Sequence, residues 1–476
     1  MRSFATINLF PITDTDDLTG IYDSVPDHAV GKILQKNIDK TQRGAQVITN
    51  NAGFRDNRPY TRKSANTFRI VCLGDSFVEG TAGNVEDRFC NQIEETINLH
   101  GLLGDSFTAE AYAIGVGSWT AVNGAAYMIS HISAYEPDLI IAMMVSNDIA
   151  DGQGVSGIGA SSNAFSPEAR TLGSGIFSAA VSINFGASGN LLKYDLGPES
   201  VRRWNKAFAL YKKLEDLQHE RGGKMIFSVL DTIRYFSELA RSYHAKFEMT
   251  SPFLSTSFFP AEDTVLPHDG HPNRKGHQIL ANHYLHAMVQ ESWISDPEGK
   301  LGTLHEGLNL DTAPNPDFEY LEKTRLALIT EYLPQKINFN NPGKLEIGAF
   351  LGGIWPDMSL KPENRRHSYP FGTTRAGFLL ARAANANRLN VEIFIPQKVE
   401  LFPNTIQLFV NGRLMDSLVL ESVNDFGEKT LSADLTIHEK DSEVLEVILS
   451  SETFWSTISD NTMRSYELRK AFQSGK

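Results

Sequence analysis

Cysteine is nearly absent from this 476-residue sequence: only Cys72 and Cys90 occur, at a spacing that fits neither a metal-binding nor a redox motif. Neither disulfide stapling nor a zinc site is therefore expected, and Cys72, inside an apolar strand pattern, reads as a small buried hydrophobe. Basic charge is also in deficit, with 44 Lys and Arg against 57 Asp and Glu and a formal net charge of -13. No basic run offsets it, which argues against nucleic acid and anionic membranes as partners, since both need a cationic surface. No apolar stretch reaches membrane-spanning length, so no membrane insertion is expected. From Met1 to Asp17 there are only short apolar pieces ending in an acidic cluster, so no secretory signal is expected and a cytoplasmic location is the corresponding expectation. What remains, 41% hydrophobic and 21% charged residues without an internal repeat, is the composition of a folded chain long enough for two cores.

The first half alternates strand and helix patterns. Ile70 to Leu73 is an unbroken apolar strand ending at Gly74, and Phe89, Ile93 and Ile97 then recur every four residues, as on one face of a helix. Phe107 to Ala113 and Asp138 to Val145 read as further strands on either side of a helix over Ala121 to Ala134. Beyond a Gly- and Ser-rich stretch, Trp204, Phe208, Tyr211 and Leu214 share one helical face, and Lys224 to Leu230 follows as a strand. Such alternation predicts a parallel sheet covered on both faces, with its ligand site at the carboxyl ends of the strands.

The period changes after residue 300. Leu389 to Ile395, Thr405 to Val410, Arg413 to Leu420, Leu431 to Ile437 and Val444 to Leu449 alternate with period two. Asn411-Gly412 marks a tight hairpin, because a type I′ turn needs positive φ at both central residues. A jelly-roll-like β-sandwich is expected here. The division that follows is residues 1–295 for the α/β/α domain with its N-terminal extension, 296–341 for a linker with a helical piece over Phe318 to Leu333, and 342–476 for the sandwich.

Three residues fall just beyond strand ends: Ser76 after the first strand, Gly117 after the second and Asn147 after the third. A serine hydroxyl needs a base to remove its proton and donors to hold the oxyanion it creates. Ser76 opens a helix, where unpaired N–H groups favour negative charge, Gly117 lets a backbone N–H approach closely, and Asn147 carries an amide donor. Much later, Pro267-His268-Asp269-Gly270-His271-Pro272-Asn273 precedes a helical stretch from His277 to Met288 and can return Asp269 and His271 to Ser76. His271 would then be general base and acid, and Asp269 its orienting partner.

At these residues the chain resembles the GDSL/SGNH hydrolases. Gly74-Asp75-Ser76-Phe77 resembles their nucleophile block, Ile114-Gly115-Val116-Gly117 their glycine block, Ser146-Asn147-Asp148 their asparagine block, and His271-Pro272-Asn273 with Gly276 their histidine block. Asn51-Ala52-Gly53-Phe54-Arg55-Asp56 resembles the lead-in to the family's first strand. The resemblance spans roughly residues 45 to 290, about one large domain. It implies a flavodoxin-like three-layer α/β/α fold, a catalytic triad of Ser76, His271 and Asp269, an oxyanion hole of Ser76, Gly117 and Asn147, and no cofactor or metal. Two positions depart from the pattern: Asp269 precedes the histidine by two residues where three is common, as in some members such as polysaccharide acetyltransferases, and Ser146 stands where glycine is usual.

The expected activity is ester hydrolysis through an acyl-serine intermediate, on an O-acetyl or other acyl ester of a glycan or small molecule. An O-acyltransferase using the same triad and a non-catalytic glycan-binding protein that keeps the fold are the alternatives. Asp75 and Asp148 are assigned structural roles, His268 a solvated loop position, and His277 packing or capping. Gly152 to Ser162 is either a lid beside the pocket or a plain connection. Trp355, Tyr369, Phe371 and Trp455 either pack in the core of the second domain or stack on sugar rings. Phe454-Trp455 and Arg464 to Leu468 weakly resemble accessory sandwich domains of glycan-modifying enzymes, which favours a carbohydrate ester and a glycan contact through that domain.

Overall fold

The computed structural model describes residues 21–25, 27, 29–42, 45–80, 83–117, 119–145, 147–150, 194–230, 234–256, 271–304, 315–339, 350–355, 371–437, 443–453 and 466–475. Two antiparallel hairpins open the chain, β1 (Tyr22–Ser24) with β2 (Lys32–Leu34), and β3 (Asp39–Gln42) with β4 (Ala45–Ile48). The sheet that follows is built from β5 (Thr67–Gly74), β6 (Thr108–Gly115), β7 (Leu139–Val145), β8 (Lys224–Leu230) and β9 (Phe253–Thr256). All its pairings are parallel and its order is β6-β5-β7-β8-β9, so the chain steps outward from β5 in opposite directions. That is the flavodoxin-like order expected, and it opens a crevice where the direction reverses.

Helices cover both faces: α1 (Ser76–Glu79), α2 (Phe89–His100), α3 (Ala121–Tyr135), α4 (Asn147–Ala150), α5 (Pro198–Glu220), α6 (Arg234–Lys246) and α7 (Arg274–Gln290). The strands are buried on both sides, which is why they read as continuous apolar runs. Alternate residues serve opposite cores. Ile70, Cys72, Ile141 and Met143 pack with Phe89, Ile93 and Tyr284 from α2 and α7, while Val71, Leu73, Ile140 and Ala142 pack with Tyr127, Trp204, Phe208 and Phe236 from α3, α5 and α6. Pro198 at the first helical position of α5 and the Thr120–Asn123 capping box of α3 set two of the helix starts.

One expectation is corrected. Cys72 on β5 and Cys90 on α2 form a disulfide with Cα atoms 6.1 Å apart. The turn between them folds α2 back over β5, a tertiary proximity that an eighteen-residue separation does not reveal. Cys72 is buried as expected, but as half of a cross-link.

Beyond α8 (Phe318–Tyr332) lie β10 (Lys336–Asn338), β11 (Phe350–Trp355), β12 (Phe371–Ala381), β13 (Arg388–Ile395), β14 (Asn404–Val410), β15 (Arg413–Leu420), β16 (Gly427–Asp434), β17 (Val444–Ser451) and β18 (Tyr466–Ser474). They pair antiparallel along β15-β14-β17-β12-β18-β13-β16, with β10 on β18 and β11 on β12. The path curls around one apolar core until its ends approach, and Ser432 N on β16 donates to Asp416 Oδ2 on β15 at 2.8 Å. Asn411 and Gly412 take φ of 49° and 77°, as the hairpin reading requires. Among the described residues no helix is long and apolar enough to cross a membrane.

The two halves share side chains. Leu196, just ahead of α5, is buried in the core of the antiparallel half, and α8 contributes Leu321 to the α/β core and Ile329 to the antiparallel one. Leu196→Ala is therefore expected to lower stability by about 2–5 kcal/mol, the usual cost of emptying a leucine site. It would appear as a lower urea midpoint, and an unchanged midpoint would show that the contact does not form.

Candidate active site

Ser76 follows β5 through a backbone turn that only small residues fit. A Cβ on Gly74 would lie 2.6 Å from Val78 Cγ2, and one on Gly115, across the pairing to β6, would lie 2.5 Å from Glu79 N and 2.7 Å from Asp75 O. Both glycines let α1 sit hard against the strand ends. Asp75 caps α1, its Oδ1 accepting from Phe77 N at 2.9 Å, and Gly80 closes it with φ of 71°. Ser76 thus opens α1 at the carboxyl edge of the sheet.

His271 reaches it from 195 positions away. Its Nε2 lies 2.7 Å from Ser76 Oγ, which also lies 3.3 Å from Asp75 Oδ2. Asn273 caps α7 by accepting from Gly276 N at 3.0 Å, and Tyr284 ties the helix to β8 through a 2.5 Å contact with Ser228 Oγ. The Phe77 ring lies 4.9 Å from the His271 ring, centroid to centroid, and packs against it. A neutral imidazole at this distance can take the hydroxyl proton directly.

The remaining expected site residues divide. Gly117 lies beside Ser76, since a Cβ there would be 4.0 Å from Ser76 Cβ, and its N–H donates to Glu79 Oε2. Asn147 opens α4 after β7, at the same rim, but its side chain lies outside the described residues. Asp269, His268, Ser146, residues 152–162, Tyr369 and Trp455 also lie outside them, as do the side chains of Trp355 and Phe371. Asp148 accepts from Val145 N at 2.8 Å and Asp75 caps α1, so each has the structural engagement expected of it. His277 is buried against the Phe89 ring, and desolvation with the nearby Arg88 charge pushes it down to about 3, so it packs as a neutral ring.

The sequence reading missed the charged shell around Ser76. Glu79 is 3% exposed, and burial raises its carboxyl above the ordinary range against the pull of the Gly117 N–H, Arg55, Lys32 and His271. Arg55 donates to the carbonyls of Gly80, Gly83 and Gln46 and so grips the chain leaving α1. Arg88 donates to Arg55 O at 2.5 Å and pairs with Asp56 at 3.7 Å. Lys32, its ammonium 4.3 Å from the Tyr22 ring centroid, is lowered to about 8 by desolvation, with Glu79 pulling the other way. The hairpin carrying both is pinned to the loop after β6 and to the first turn of α3: Trp119 Nε1 donates to Lys32 O at 2.8 Å and Asn123 Nδ2 to Ala29 O at 2.7 Å. The only sequence signal for this shell was the lead-in containing Arg55 and Asp56. Among the described residues no cluster of His, Cys, Asp and Glu is arranged to hold a metal ion.

No family model and no curated protein matches the chain. Among solved structures it is similar to a two-domain esterase (CEX) active on acetylated mannans, solved with mannopentaose, at 14% identity over 86% of this chain and 91% of that one with a TM-score of 0.33. It is also similar to TesA, at 10% identity over 46% of this chain and 97% of that one with a TM-score of 0.30. A catalytic mutant of Axe2, an acetylxylan esterase from Geobacillus stearothermophilus, is a further likeness, at 14% identity over 46% of this chain and 92% of that one with a TM-score of 0.29.

Gly115→Ala should force α1 off the strand end and lengthen the Ser76–His271 contact. Because displacements of about 1 Å can cost about 100-fold in reactivity, labelling of Ser76 by a serine-directed fluorophosphonate should slow by about that factor. Labelling at the wild-type rate would mean the close packing does not position the serine.

Proposed function

We propose that the chain is a carboxylic ester hydrolase of the GDSL/SGNH type, with Ser76 as nucleophile and His271 as its base. The carrying observation is the 2.7 Å approach of His271 Nε2 to Ser76 Oγ at the carboxyl edge of a parallel sheet, from segments 195 residues apart. Packing alone gives no reason for a serine hydroxyl and an imidazole to meet at the crevice of this fold.

In the proposed reaction His271 takes the Ser76 proton as Oγ attacks the ester carbonyl. The carbonyl oxygen becomes an oxyanion facing the donors proposed for it, the N–H groups of Ser76 and Gly117 and the Asn147 amide. His271 then gives the proton to the departing alcohol, leaving an acyl-serine, and a water activated by the same imidazole releases the acid and restores the serine. Asp269 is proposed to orient His271 and stabilise its charged form. The chemistry is proton transfer and charge stabilisation, which these side chains supply without a cofactor.

Within this class the substrate we propose is an O-acetyl or other acyl ester on a glycan, with the antiparallel half as a glycan-contacting domain and the division at residues 295 and 341 as its boundary. Support for the glycan comes from the sequence likeness of the second half to accessory sandwich domains.

Hydrolysis of p-nitrophenyl acetate tests the reaction. Ser76→Ala and His271→Ala should each lower kcat/KM by at least about 1,000-fold, and the double variant little further, because the two act as a unit. A Ser76→Ala protein with wild-type turnover would sink the assignment. Mass analysis of acetylated oligosaccharide, with and without an acceptor sugar, separates released acetate from transferred acetyl.

A further inference from the structure

The oxyanion donor proposed at Gly117 is already engaged: its N–H donates to the buried Glu79 carboxylate, one turn along α1 from Ser76. Tyr22 closes the other side, its hydroxyl 3.1 Å from where a Gly117 Cβ would stand. An acyl oxygen that is to use this N–H must compete with Glu79 for it.

Resting on the serine-hydrolase reading, we propose that Glu79 is a positioning residue that governs access to the Gly117 N–H, withholding it from the acyl oxygen when ionised and yielding it when protonated. An ionised carboxylate is the stronger acceptor for a backbone N–H and also repels a developing oxyanion. A protonated one is a weaker acceptor and carries no charge against the transition state. The inference stands on placement: the residue three positions after the nucleophile is buried, on the same short helix, with its oxygen on the one backbone donor that the glycine block supplies.

The charged and titratable groups facing Glu79 come from four segments. Lys32 reaches it from β2, Arg55 from the loop after β4, Arg88 from the N-cap of α2 and His271 from the loop before α7, with the Tyr22 hydroxyl close to the shared Gly117. All four charged partners are basic and favour the carboxylate, while burial opposes it and prevails. The sign of the pH effect follows. Burial moves the ionisation of Glu79 to higher pH, and the proposal requires kcat/KM to fall as pH rises through it, so beside the acid limb of an imidazole base the profile has an alkaline limb belonging to Glu79.

The test is the pH profile of kcat/KM for p-nitrophenyl acetate in wild type, Glu79→Gln and Ser76→Ala. Glu79→Gln should keep the acid limb and lose the alkaline one, so that one pH unit above the limb the variant falls little where the wild type falls about tenfold. A wild type without an alkaline limb, or a variant that keeps it, overturns the proposal, and a purely structural role would lower activity without changing the profile's shape. Should Glu79→Gln fail to fold, Lys32→Arg and Lys32→Gln serve on the hairpin: a permanent positive charge favours the carboxylate, so the limb should lie at lower pH in the arginine variant than in the glutamine one. A limb at the same pH in both, or absent from both because Lys32 itself owns it, overturns the proposal. Ser76→Ala keeps the two readings apart, since its inactivity upholds the hydrolase whatever becomes of the limb.

Discussion

The closeness of α1 to the ends of β5 and β6 is the constraint on which the rest of the site depends. A four-residue helix has no stability of its own, because nucleation costs more than one turn of hydrogen bonds returns. It exists here because Asp75 caps it, Gly80 ends it in a left-handed conformation, and Gly115 leaves its backbone room against the sheet. Arg55 completes the clamp by donating to the carbonyls of Gly80 and Gly83. The position of Ser76 is thus a property of backbone packing, and the His271 imidazole meets a hydroxyl already in place.

That clamp brings charge into the interior. Arg55, Arg88 and Asp56, together with the titratable Glu79, are all nearly inaccessible to solvent, a costly arrangement unless each polar group finds a partner. Arg88 pairs with Asp56 and donates to Arg55 O, Arg55 is occupied by three carbonyls, and Glu79 takes the Gly117 N–H. Removing any one partner leaves another group buried and unmatched, so these residues are tied to one another more tightly than their surface spacing in sequence suggests. The N-terminal hairpin belongs to this arrangement, because Trp119 and Asn123 anchor its backbone directly after the glycine block.

The legible parts of the molecule are those in which local pattern and tertiary role coincide. Strands buried on both faces had to be apolar throughout, so β5, β7 and β8 stand out, and the positive-φ turn at Asn411-Gly412 needed the residues that tolerate it. The meeting of Ser76 and His271 was legible because each stands among recognisable neighbours at the edge of the sheet, and the structure brings the two side chains to 2.7 Å. Glu79 was not, since an acidic residue on a short helix looks solvated until Tyr22 and Lys32 are known to lie beside it. The Cys72–Cys90 bridge was hidden for the same reason, and β9 is only four residues long, whereas α6 went unread although Tyr235, Phe236, Leu239, Ala240 and Tyr243 recur at helical spacing.

The two halves of the chain are joined by more than sequence. Leu196, just ahead of α5, is buried in the antiparallel core, and Gly197 beside it approaches Glu446 and Leu379 so closely that a Cβ would lie 3.1 Å from each. From the other direction α8 crosses between the cores, with Arg234–Asp317 at 2.8 Å toward the α/β half and Arg325–Glu443 at 3.0 Å toward the antiparallel one. Exposed pairs of this kind contribute little stability and serve chiefly to fix orientation, whereas the leucine contact is apolar and fully enclosed. The antiparallel half therefore packs directly against the start of α5, and α8 gives side chains to both cores.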